Sequence, residues 1–180
     1  MTLLLVAAAA AAGLPVWLYA RSRRRRRAEY AVYDVALQFF YADWGEPRLA
    51  ETGKGLPQVL WERRRSRARF RFATGTGELS GRIPVSAFEL EAAEPVFQRA
   101  ELEITHRGEF CSLAGPLPSG EAWAEPLREN LKRLEPLGTM TVRMEGRQMV
   151  LEADGWLTDE PRLIRFLAGG FDLAEIFLKK

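Results

Sequence analysis

Arg67-Ala68-Arg69-Phe70-Arg71-Phe72 alternates strictly, with a guanidinium at every odd position and an apolar side chain at every even one. Successive side chains of a β-strand point to opposite faces, so this stretch reads as a half-buried strand. Ala68, Phe70 and Phe72 belong to a core, and Arg67, Arg69 and Arg71 form a ladder on the open side. Downstream, Gly75-Thr76-Gly77 reads as a turn. Glu78 to Val85 and Ala87 to Glu91 follow as one or two strands. Leu102 and Ile104 alternate with Glu101, Glu103 and Thr105 in another half-buried strand, and Phe110, Leu113 and Ala114 mark its return, ended by Gly115, Pro116 and Pro118.

The period then changes. Trp123, Leu127, Leu131 and Leu134 share one face of a helix, with Pro126 in its first turn, Glu129 spaced to pair with Arg133, and Pro136 and Gly138 at its end. Thr139–Glu145 and Arg147–Ala153 make a hairpin around Gly146, with Met140, Val142 and Met144 facing the same core as Met149, Leu151 and Ala153. Thr158 and Asp159 are N-cap candidates for a last helix on Leu163, Ile164, Leu167 and Ala168. Gly169-Gly170 either breaks that helix or admits a close neighbour before helical spacing resumes from Phe171 to Leu178. Upstream of the ladder, Val32, Val35, Ala36, Phe39 and Phe40 predict a helix over Ala28–Asp43, and Gly45, Pro47, Gly53, Gly55 and Pro57 a loop of about a dozen residues. Strand pairs joined by short turns imply mainly antiparallel pairing with two or three helices packed on the sheet. The fold class is therefore α+β for one domain over residues 28–180.

Before that domain, Thr2 to Ala20 carries no charge. Nineteen helical residues span roughly 28 Å, against a hydrocarbon core of about 30 Å. Trp17 and Tyr19 sit where an interfacial aromatic belt belongs, and Arg21 and Arg23 to Arg27 follow at once. A cleaved signal peptide carries its positive charge before the apolar run and a small residue three positions before the cut. Here no Lys or Arg precedes the run, and Leu18 occupies the −3 position if cleavage follows Ala20. The sequence thus predicts a transmembrane anchor over residues 1–20 and a basic juxtamembrane segment over 21–27. The positive-inside rule puts the N-terminus outside and the domain in the cytoplasm. Arg21, Arg23, Arg24, Arg25, Arg26 and Arg27 can also clamp anionic lipid headgroups, each contributing on the order of 1 kcal/mol near the surface.

The net charge of +2 comes from that run alone. Taking six from the 26 basic residues leaves 20, against 24 acidic ones, so residues 28–180 carry −4. A nucleic-acid binder carries its basic charge on the folded surface, and this chain does not. One cysteine, Cys111, forbids an intrachain disulfide.

Chemistry is sparse. His106 is the only histidine, and with Cys111 it offers a pair where a structural zinc site takes four ligands. A His106–Cys111 nucleophile pair is conceivable across a turn at Gly108, but nothing marks an activated cysteine. Gly75 to Gly81 runs G-x-G-x-x-x-G, one residue off the dinucleotide fingerprint, and leads into a strand where a phosphate needs a helix N-terminus. The sequence calls for no catalytic residue, metal or cofactor. The ladder is either a solvated face opposed by Glu101 and Glu103, or an anion-binding surface for lipid headgroups or an acidic partner. RNA is disfavoured because Phe70 and Phe72 point to the other side and cannot stack on bases. The expected role is a membrane-tethered, non-catalytic interaction domain for a partner protein or the anionic bilayer. The alternative is a lipid or small-molecule binder with an apolar cavity at Phe70, Phe72, Met140 and Met144.

Overall fold

The computed structural model describes residues 31–50, 57–76, 82–107, 110–114 and 122–178. The expected anchor and the arginine run lie outside the described residues. Among the described residues no helix is long and apolar enough to cross a membrane.

The chain is α+β. Helix α1 covers 31–37. Strands β1 (Arg48–Ala50), β2 (Gln58–Arg63), β3 (Ser66–Thr76) and β4 (Arg82–Glu91) form a consecutive meander. Strands β5 (Phe97–Arg107) and β6 (Phe110–Ala114) form a hairpin. Helix α2 (Ala124–Leu134) and a 3-10 turn (Glu135–Leu137) lead to the hairpin β7 (Met140–Gly146) and β8 (Gln148–Asp154), and α3 (Glu160–Leu178) closes the chain. The spatial order is β1-β2-β3-β4-β8-β7-β5-β6, antiparallel at every step. Seven strands make the body of the sheet, and the three-residue β1 extends one edge. The meander meets the later hairpins along one seam, where β4 pairs with β8 from Ser86–Ala153 to Glu91–Gln148.

The alternation read at β3 holds. Ala68, Phe70 and Phe72 are buried, with Val59 and Trp61 of β2, Phe88 and Leu90 of β4, Met149 and Leu151 of β8 and Val142 and Met144 of β7 on the same face. The helices cover that face. Leu127, Leu131 and Leu134 are the buried stripe of α2, as the spacing predicts, although the ion pair on its surface is Arg128 with Glu125. Asp159 caps α3: its carboxylate accepts the Arg162 N–H at 3.2 Å.

Three expectations are corrected: β2 forms where no strand is expected, β1 interrupts the expected loop, and the first helix is shorter than its spacing predicts. β4 is one strand, within the expected one or two. The first helix stops at residue 37, well short of Asp43. There the Gln38 and Phe39 N–H groups bond three residues back, to Val35 and Ala36, and the Phe39 carbonyl accepts the Trp61 indole at 3.0 Å. Released from the helix, Phe39 and Tyr41 stack on Phe171 with centroids 5.9 and 4.8 Å away. Finally, α3 runs unbroken through Gly169-Gly170, and the close-neighbour reading is the one that holds. A Cβ on Gly169 would meet Leu134 at 2.2 Å, and one on Gly170 would meet the Phe88 ring at 2.6 Å. The glycines let α3 settle onto α2 and β4 together.

Candidate functional site

The ladder occupies the face of the sheet opposite the helices. Its neighbours are β2 and β4, so Glu101 and Glu103 on β5 cannot oppose it; that expectation fails because β4, β8 and β7 lie between. The carboxylates that do meet it are Glu62 and Glu89. Glu62 accepts from Arg67 at 3.3 Å and from Arg48 at 2.6 Å. Glu89 sits between Arg69 and Arg71, taking both guanidiniums, with Arg71 Nε at 2.8 Å. The side chain of Glu89 is only 10% exposed, whereas those of Arg67, Arg69 and Arg71 are 56%, 48% and 41% exposed. The carboxylate is buried beneath its partners, and the guanidiniums stay at the surface. Glu91 is the register partner of Arg67 on the same face, so with Arg48 included the strip carries four arginines against three carboxylates.

Across the seam the same open face turns acidic. Arg143 bridges Glu101 at 3.3 Å and Glu152 at 2.7 Å. Asp154 lies at the end of β8, its carboxyl raised above the ordinary aspartate range by burial first and then by the nearby Glu103.

Phe70, Phe72, Met140 and Met144, expected around a cavity, are packed core residues. Tyr33 lies 6.1 Å from Phe70 and 5.6 Å from Phe72, and Trp156 stacks on Phe72 at 5.2 Å. His106 and Cys111 are register partners in the β5–β6 hairpin. No group of three His, Cys, Asp or Glu suited to a metal occurs among the described residues. Of the G-x-G-x-x-x-G stretch, Gly75 is in β3, and residues 77–81 lie outside the described residues.

A second charged cluster escaped sequence reasoning. Glu175 of α3 is buried; it pairs with Arg63 at the end of β2 and accepts the Trp44 indole at 3.3 Å. Arg63 also stands 3.7 Å from Asp43. Tyr41 donates its hydroxyl to Asp172, and burial, followed by that bond, pushes its pKa well above the ordinary tyrosine value. Ala42 and Arg64, beside the cluster, hold positive φ of 39° and 55°. The arrangement ties the segment after α1 to α3. Its signal in the sequence is two acids three apart, Asp172 and Glu175, inside the otherwise apolar Phe171–Leu178 run.

No family model, curated protein or solved structure matches this chain. The residues therefore carry the functional reading by themselves.

Proposed function

We propose that the chain is a single-pass membrane protein whose cytoplasmic domain is a non-catalytic interaction module for a partner protein or the anionic bilayer surface, with Arg67, Arg69 and Arg71 as its docking strip. The observation that carries the reading is the uncharged run from Thr2 to Ala20 followed at once by Arg21 and Arg23 to Arg27. Two features of the domain agree with it. The buried acids Glu89 and Glu175 are each held by arginine, a structural use. The ladder guanidiniums remain half-exposed above Glu89, available to an anion from outside.

The test is a reporter fused after Lys180. A form active only in the cytoplasm should work, and a form active only outside should be silent; activity of the second overturns the orientation. Replacing all six arginines of 21–27 should give mixed orientations.

A further inference from the structure

We draw no further inference here: the strongest candidate, the recess at the C-terminal end of α3 lined by Tyr41, Asp43, Arg63, Arg64 and Glu175, carries nothing, because Glu175 already holds Arg63 and the Trp44 indole, Asp172 already holds the Tyr41 hydroxyl, and nothing in the structure shows what would occupy it.

Discussion

Glu89 decides how the ladder behaves under mutation. It is buried, and Arg69 and Arg71 are its charged partners, so the three arginines are not equivalent although the sequence repeats them evenly. Arg67→Gln removes only an exposed pair with Glu62 and should change stability by about 0–1 kcal/mol. Changing Arg69 and Arg71 together to Gln leaves the buried carboxylate without a cation and should cost about 1–3 kcal/mol, read by urea denaturation of a chain starting at Ala28. Restoring the balance with Glu89→Gln in that background should recover part of the loss. Asp154 gives a pH signature. Its carboxyl titrates above the ordinary range in the folded state, so the folded chain binds that proton more readily than the unfolded one. Its charged form therefore opposes folding at neutral pH, and the penalty disappears as pH falls through the raised value towards the unfolded value of about 4. Asp154→Asn should accordingly be more stable than the parent at pH 7, with the difference gone by about pH 3 in paired denaturation curves. The alternation at 67–72 made the ladder legible. Its carboxylate partners were not, because no local pattern says that β4 rather than β5 lies beside β3.

At the level of elements, what the sequence displayed was period, and what it hid was where tertiary contacts stop a period. α2 and the β7–β8 hairpin followed their apolar spacing closely, since each buries one regular stripe. The first helix did not, because Phe39 and Tyr41 gain more by stacking on Phe171 than by continuing the helix. β2 was legible in retrospect: Val59 and Trp61 alternate with Gln58, Leu60 and Glu62 as plainly as the ladder itself. The burial of Val32, Tyr33 and Ala36 makes α1 indispensable to the core. Covering apolar side chains of that size contributes on the order of 1.5–3 kcal/mol each for the larger ones. A chain beginning at Ala28 should be soluble and monomeric by sedimentation, whereas one beginning at Asp43 should aggregate, because Phe70 and Phe72 lose their cover. Solubility of the shorter chain would show that α1 belongs to something other than this core.

For the whole molecule, the seam between β4 and β8 is the joint on which cooperativity depends. α3 reinforces it by packing on β4 through Gly170 against Phe88 and on α2, of the second half, through Gly169 against Leu134. The two halves should therefore unfold as one unit: tryptophan fluorescence and far-ultraviolet circular dichroism should give coincident urea transitions. Separated transitions would mean that the meander survives without the second half. The α+β class and the antiparallel sense were legible because they follow from short turns, but the strand order was not, because it depends on pairing between residues far apart in the chain. That same seam has a consequence during biosynthesis. The meander β1–β4 leaves the ribosome complete in its local pairings, with the Ser86–Glu91 edge bare until Gln148–Ala153 has been made. An unpaired strand edge is a template for any other strand. For the nascent chain, the dangerous interval is the synthesis of β5 through β7, and the safeguard is the arrival of β8.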